Sequence, residues 1–177
     1  METFYGIIET TSDALLLFEA SHLGIVQKVR RRLHEKERKE LRSGSCYIFS
    51  ESESGIKRWT DGRLWSPSRI LGNFLIYREV EKKISKKNLK ATDKLFEGIP
   101  SKLTAKGSKG AYVFKEKGLL KKTISAIMNN QQHHLVCYYT KEDAQHGRLR
   151  TPRDFKKFSD IKIPIELIKQ QNFRKPP

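Results

Sequence analysis

The chain contains little cysteine, and this limits the kinds of site it can build. Cys46 and Cys137 are its only cysteines, and neither has a second Cys or a His at the spacing of a metal site. Each lies within an apolar run that is typical of a strand. We therefore expect two reduced, buried thiols, with no disulfide and no metal site.

Long apolar runs are absent as well. No stretch approaches the about 18 uncharged apolar residues that identify a membrane-spanning helix. The first residues, Met1 to Phe4, lack the charged and apolar regions of a signal peptide. We expect a protein of the cytosol or the nucleus without a membrane partner.

The motifs of common enzyme classes are also missing. The sequence has no Gly-Lys-Ser or Gly-Lys-Thr phosphate loop, no HExxH motif and no Gly-x-Ser-x-Gly nucleophile elbow. His133 and His134 are the only adjacent histidines, and neighbours in a strand point to opposite faces, so they cannot share one metal ion. We expect no enzyme activity, no cofactor and no small-molecule substrate.

Acidic residues are scarce relative to basic ones. Thirty-six Lys and Arg oppose 20 Asp and Glu, which gives a formal charge of +16 and a pI near 9.9. Residues 1–55 carry a charge of −1, residues 56–122 carry +12 and residues 123–177 carry +5. This excess is more than solubility requires. It predicts a polyanionic partner, with nucleic acid favoured over an anionic membrane.

Hydrophobic periodicity predicts helices mainly in the first half of the chain. We predict three, at residues 14–20, 25–42 and 66–80. Ser12 or Asp13 is a suitable cap for the first helix. Ser66 followed by Pro67 is typical of a helix start, because proline is tolerated at the first helical position.

Strands are predicted mainly in the second half. We place them at residues 3–10, 46–50, 111–114, 121–128 and 131–139. Asn129 and Asn130 tolerate the positive φ angles of a tight turn and therefore predict a hairpin. Residues 82–110 lose their periodicity and are rich in lysine, which indicates a linker or a mobile basic insertion. The tail, residues 171–177, is expected to fray.

A basic loop at residues 57–69 is the strongest candidate site. It places four basic residues among both tryptophans of the protein and several small hydroxyl residues. Arginines and hydroxyls on a loop can contact phosphates and base edges. For Trp59 and Trp65 a position in the core, anchoring the loop, is favoured over direct contact. The candidate DNA-binding residues are Lys57, Arg58, Trp59, Thr60, Arg63, Ser66, Ser68, Arg69, Lys121 and Lys122.

Six stretches of the chain form a specific combination. They are Asp13-Ala14-Leu15-Leu16-Leu17-Phe18-Glu19-Ala20, Gly55-Ile56-Lys57-Arg58-Trp59-Thr60-Asp61-Gly62, Trp65-Ser66-Pro67-Ser68-Arg69, Gly118-Leu119-Leu120-Lys121-Lys122-Thr123, His134-Leu135-Val136-Cys137-Tyr138-Tyr139 and Leu149-Arg150-Thr151-Pro152. In these residues and in their order, the chain closely resembles the WOPR-domain family of fungal transcription regulators. The resemblance covers about residues 3–81 and 112–168.

The resemblance implies both a fold and a function. The fold is α+β, with a first region (1–81) and a second region (111–170) interlocked through shared β-sheets into one globular unit, and a variable basic linker (82–110) between them. The function is sequence-specific binding of double-stranded, A·T-rich DNA by a monomer in the nucleus, through minor-groove and major-groove contacts, at genes of fungal morphological switching. We expect Arg58 or Arg63 to enter the minor groove, because an A·T tract narrows that groove and concentrates negative potential there.

Two other functions remain open from the residues alone. An RNA-binding module is the nearest alternative, although the chain lacks the aromatic alternation of an RRM signature. A polybasic interaction module is the other, since residues 82–94 could bind an acidic protein or a membrane surface.

Overall fold

The chain folds around two antiparallel β-sheets. The computed structural model describes residues 1–91 and 96–177. The strands in these ranges are β1 (Phe4–Tyr5), β2 (Ser45–Ser50), β3 (Arg69–Leu71), β4 (Phe74–Arg78), β5 (Val80–Ser85), β6 (Thr104–Gly107), β7 (Gly110–Phe114), β8 (Leu119–Met128) and β9 (Gln131–Thr140). Six strands form a main sheet in the order β1-β2-β9-β8-β4-β3, and three form a small sheet in the order β5-β7-β6. Only Glu79 separates β4 from β5, so the chain passes directly from one sheet to the other.

Short helices complete the structure around a longer first helix, α1 (Thr11–His22). The others are α2 (Glu35–Glu40), α3 (Glu51–Ser54), α4 (Lys141–Gln145) and α5 (Ile165–Lys169), with 3-10 segments at Lys86–Ala91, Ser101–Leu103, Pro152–Asp154 and Lys156–Phe158. Within the described ranges, no helix has the length and apolar character that crossing a membrane requires.

The main sheet is built from both halves of the sequence. β2 pairs with β9, which places Cys46 opposite Cys137, and β4 pairs with β8, which places Leu75 opposite Thr123. Both cysteines are buried free thiols, as expected. The predicted α+β class, with two regions interlocked through shared strands into one globular unit, is confirmed.

Each face of the main sheet carries a hydrophobic core. On one face, α1 contributes Leu15, Leu17 and Phe18 to a core that also contains Ile48 of β2. α1 begins at Thr11 with Thr10 as its cap, rather than at the predicted cap Ser12 or Asp13. The opposite face holds an aromatic core that positions the candidate site.

The predicted hairpin of β8 and β9 is confirmed. The two strands pair from Leu119 opposite Thr140 to Met128 opposite Gln131. Asn129 and Asn130 form the turn with φ angles of 50° and 59°. Two consecutive positive φ angles match the twist of the flanking strands.

The predicted helix at residues 25–42 is wrong except for α2. Val26, Val29 and Leu33 are buried, but they lie in a segment without regular secondary structure that contacts the main sheet. The Val29 amide donates to the Ile48 carbonyl at 2.7 Å. Burial of these side chains against the sheet therefore does not require a helix, although their spacing of three and four residues imitates one.

The predicted helix at residues 66–80 is also wrong, because this segment forms the hairpin of β3 and β4. Ser66 does not cap a helix. Its hydroxyl accepts a hydrogen bond from the Arg78 amide at 2.9 Å, and Gly72 forms the turn at a φ of +60°.

Residues 82–110, predicted as a linker or a mobile basic insertion, contain regular structure. β5 and β6 both pair with β7, while part of the predicted linker, residues 92–95, lies outside the described residues. The tail is held as well, because the Lys175 amide donates to Asn73 Oδ1 at 3.0 Å and Asn73 Nδ2 donates to the Lys175 carbonyl at 2.8 Å. The bounds of the two regions stay predictions.

Candidate nucleic-acid interface

The basic loop (residues 57–69) crosses the aromatic face of the main sheet. It follows α3, which ends at Gly55 with a φ of +70°. It reaches the edge of the sheet where the Ser66 amide donates to the Arg78 carbonyl at 2.9 Å. One side of the loop therefore faces the core, and the other faces solvent.

Both tryptophans fix the inward side of the loop. Trp59 stacks on Phe49 with ring centroids 5.3 Å apart and an interplanar angle of 14°. Its indole Nε1 donates to the Tyr138 hydroxyl at 2.7 Å. Trp65 is buried, and its Nε1 lies 3.0 Å from both carboxylate oxygens of Asp61. Both indoles anchor the loop, which is the role favoured by the sequence.

Asp61 links the loop to the second half of the chain. Its buried carboxylate accepts a hydrogen bond from the Tyr138 hydroxyl at 2.7 Å, in addition to the bond from Trp65. Burial and the neighbouring Asp61 raise the pKa of Tyr138 well above its usual value, so the hydroxyl remains a donor. The chain of donors from Trp59 through Tyr138 to Asp61 fixes the loop conformation.

Arg63 points inward rather than toward solvent. Its Nη1 lies 3.0 Å from Glu79 Oε1, and its Nη2 donates to the Leu41 carbonyl at 3.2 Å. Glu79 is buried between β4 and β5 and also accepts a hydrogen bond from the Leu119 amide at 2.8 Å. Arg63 therefore connects the loop to the point where the two sheets meet. Of Arg58 and Arg63, the two arginines considered for the minor groove, Arg63 is the one whose side chain has an internal partner.

Lys121 and Lys122 also have internal partners, although the sequence suggested phosphate contacts. Lys121 Nζ lies 3.5 Å from Asp61 Oδ2 and 4.6 Å from the centre of the Trp65 ring. Lys122 is buried, and its Nζ donates to the Ile8 carbonyl at 2.7 Å. Burial lowers the pKa of both amines. Both amines therefore have partners inside the protein, and their contact with phosphates stays a prediction.

The outward side of the loop carries the exposed candidates. Lys57, Arg58 and Thr60 are exposed beside the anchored indoles. Ser68 and Arg69 are exposed at the other end of the loop. Among the described residues, no acidic side chain forms an ion pair with Lys57, Arg58 or Arg69. The loop therefore exposes three cations that have no ion-pair partner among the described residues.

Arg32 is a loop-supporting residue that the sequence did not reveal. Its Nη1 donates to the Thr60 hydroxyl at 2.8 Å and to the Arg58 carbonyl at 3.3 Å. The only signal in the sequence is the run Arg30-Arg31-Arg32, which lies within the segment predicted as a helix. Arg32 adds a further positive charge beside the outward side of the loop.

The two adjacent histidines point in different directions, as expected. His134 Nε2 lies 2.7 Å from Glu51 Oε1, and its Nδ1 lies 2.6 Å from the Ser125 hydroxyl. His133 is buried with its Nδ1 3.0 Å from the Gln131 carbonyl. Over the residues that the structure describes, no three His, Cys, Asp or Glu side chains form a group suited to a metal ion.

The sequence matches a known protein family. The model of the Gti1/Pac2 family matches residues 3–100 and 97–140. The chain belongs to the Gti1/Pac2 family. One relative, the global transcription regulator FGP1 of Gibberella zeae, is 40% identical over 211 residues, which cover 98% of this chain and 62% of FGP1. Another, the global transcription regulator sge1 of Verticillium dahliae, is 40% identical over 220 residues, which cover 98% of this chain and 43% of sge1. The Gti1/Pac2 chain therefore spans less than two thirds of either relative.

The fold of this Gti1/Pac2 chain matches that of a WOPR domain. A solved complex of the WOPR domain of Wor1 in Candida albicans with 13 bp dsDNA is 32% identical and superposes with a TM-score of 0.72. The match covers 96% of this chain and 96% of that chain. The resemblance to the WOPR family that the sequence motifs indicated is confirmed.

Proposed function

We propose that the chain is the DNA-binding domain of a fungal transcription regulator and that it acts in the nucleus on double-stranded DNA. The observation that carries the proposal is the outward side of the basic loop, where Lys57 and Arg58 are exposed on a backbone fixed by the indoles of Trp59 and Trp65. A pre-ordered loop loses little conformational entropy when it binds. The relatives named as transcription regulators and the Wor1 complex with dsDNA support the same partner. The domain acts as a monomer without a cofactor or a catalytic step.

Arg58 is the residue that enters an A·T-rich minor groove in this proposal. Arg63 is held by Glu79 at 3.0 Å, whereas Arg58 is exposed and has no acidic partner among the described residues. A narrow A·T minor groove concentrates negative potential, and a guanidinium is weakly enough hydrated to enter it. Lys57, Ser68 and Arg69 contact the flanking phosphates, and the remaining sequence specificity comes from the major groove.

The test is a titration of single variants of the 1–177 chain against two duplexes. The duplexes differ only by exchange of A·T for G·C pairs in the presumed minor-groove segment. Arg58→Ala should cost on the order of 1–3 kcal/mol of binding free energy on the A·T duplex and much less on the G·C duplex. Arg58→Lys should restore only part of the loss, because an ammonium is more strongly hydrated. Arg30→Ala is the control, since its side chain is 76% exposed and lies outside the loop.

The outcomes separate the possible roles of Arg58. An equal loss on both duplexes makes Arg58 a phosphate contact and rejects the minor-groove assignment. If Arg58→Ala binds both duplexes with unchanged affinity, the outward side of the loop has only a structural role. Competition by single-stranded RNA at the same concentration as duplex DNA supports the RNA-binding alternative instead.

A further inference from the structure

A basic groove separates the β3–β4 hairpin from the small sheet. One cavity, of about 390 Å³, lies between residues 66–69 of the basic loop and the strands β6 and β7. A second cavity, of about 630 Å³, extends from it toward α4. Arg78 and Leu120 line both cavities, so the two cavities adjoin at these residues.

Arg69 and Arg78 project into this groove from the same face of the main sheet. Arg69 pairs directly with Ile76, and Arg78 lies two residues after Ile76, so all three side chains share one face. The guanidinium of Arg78 lies over the Phe114 ring at 4.0 Å, which fixes it at the floor of the groove. Burial and the neighbouring Arg69 lower the pKa of Arg78.

Among the described residues, neither of these two arginines has an ion-pair partner. No described Asp or Glu forms an ion pair with either guanidinium, in contrast to Arg63, which Glu79 holds. Like charges on adjacent strands repel each other and destabilise the sheet. An anion placed between them removes this repulsion, and a partly desolvated arginine pairs strongly with phosphate.

The shape and charge of the groove favour a chain of phosphates over a single small anion. Beyond Arg78, the larger cavity is lined by four lysines and two glutamates, namely Lys102, Lys115, Lys117, Lys141, Glu116 and Glu142. Lys115 is partly engaged with Glu79 at 3.4 Å. The groove is therefore basic along its length, and it is continuous with the basic loop through Ser66, Ser68 and Arg69.

We propose that the groove between the β3–β4 hairpin and the small sheet holds the phosphodiester backbone of the DNA that the basic loop binds, with Arg69 and Arg78 contacting the phosphates. The assignment rests on the proposed function and adds Arg78, which the sequence did not single out, to the contact residues. It gives the small sheet a role as the outer wall of the interface. Contacts of this kind position the duplex without reading its sequence.

The experiment measures the salt dependence of affinity for the matched A·T and G·C duplexes, each extended by one helical turn on both sides. Arg69→Ala and Arg78→Ala should each lower the slope of log affinity against log salt by about 0.9, the value for one phosphate contact. The loss of affinity should be equal on the two duplexes. Arg78→Lys should restore the slope, because the cation remains. Lys162→Ala, an exposed cation outside the groove, should leave the slope unchanged.

A second measurement alters the DNA, and its wild-type part does not depend on the stability of the variants. Single phosphates of the wild-type complex are replaced one at a time by neutral methylphosphonates. At one or two flanking phosphates the replacement should weaken binding by the wild-type chain. At those same phosphates it should not weaken binding by Arg69→Ala or Arg78→Ala any further. Two results would reject the groove as a phosphate site while leaving DNA binding by the basic loop intact. In one, every replacement that weakens wild-type binding weakens both variants equally. In the other, both variants keep the wild-type slope of log affinity against log salt. If the wild-type chain binds neither duplex, the proposed function itself fails.

Discussion

Arg63 is a structural residue in a loop whose neighbouring cations face solvent. Its side chain is 22% exposed, and Glu79, its partner at 3.0 Å, is 6% exposed. Arg63→Ala should lower the free energy of unfolding by about 3 kcal/mol, because it leaves a buried carboxylate with one weaker cation. Urea unfolding monitored by tryptophan fluorescence gives the value. Arg58→Ala should change stability by less than about 0.5 kcal/mol, as expected for an exposed side chain. Equal destabilisation by the two variants would contradict the division of the loop into inward and outward sides.

The outward side of the site could be predicted from sequence, and the inward side could not. Lys57 and Arg58 are cations in a segment without periodicity, so exposure was the expected outcome, whereas Arg69 was predicted near the start of a helix. The inward positions of Arg63 and Lys122 depend on Glu79 and on the Ile8 carbonyl, which the fold brings close to them. Distant partners of this kind leave no local pattern. A basic residue at such a position has the same sequence signature as a DNA contact.

His133 gives the protein a measurable response to acid. Burial lowers the pKa of His133 below its usual value near 6.5, so the folded state binds its proton less readily than the unfolded state. Its contribution to stability is therefore present above about pH 6.5 and is lost as the pH falls through the folded-state pKa. Between pH 7.5 and pH 5.5, thermal unfolding should lose more stability in the wild type than in His133→Gln. Parallel losses in the two proteins would assign the acid response to other groups.

At the scale of elements, the β8–β9 hairpin sets the position of Tyr138 beneath the basic loop. Its register depends on the turn, where Asn130 has a φ of 59°. Asn130→Ala should cost about 1 kcal/mol, because a Cβ without a local polar partner disfavours the left-handed region. Asn130→Gly should not lower stability, since glycine adopts this region freely. Melting temperatures of the two variants test the turn, and an Ala variant as stable as the Gly variant would show that it is not strained.

The elements differ in how well the sequence predicts them. The β8–β9 hairpin was predicted because its turn and its strands give the same local signal. Residues 25–42 and 66–80 were predicted as helices because their apolar residues fall at helical intervals. In the structure, the first segment buries Val29 and Leu33 against the sheet from irregular backbone. The second forms a hairpin that pairs with β8. Tertiary pairing overrides a periodicity that is short and interrupted.

At the scale of the whole molecule, neither half of the chain should fold alone. In the first half of the chain, β2 pairs with β9 and β4 pairs with β8, and both partner strands lie in the second half. A fragment of residues 1–85 lacks both partners and should aggregate or remain unfolded, as circular dichroism and gel filtration can show. A protease site placed between Glu97 and Gly98 should instead give two pieces that stay together and melt in one transition. A cooperative melt of the 1–85 fragment would show that the first half is an independent domain.

The internal attachment of the basic loop has a consequence for genetics, if the proposed function holds. Glu79 and Tyr138 determine the loop conformation without facing solvent, since Glu79 holds Arg63 and Tyr138 bonds to both Trp59 and Asp61. A screen for loss of the regulator will therefore recover two kinds of allele. Substitutions at Glu79 will act only above a threshold temperature and will be suppressed by a higher gene dose or by stabilising mutations elsewhere. Substitutions at Arg58 will act at every temperature, and no stabilising mutation will suppress them.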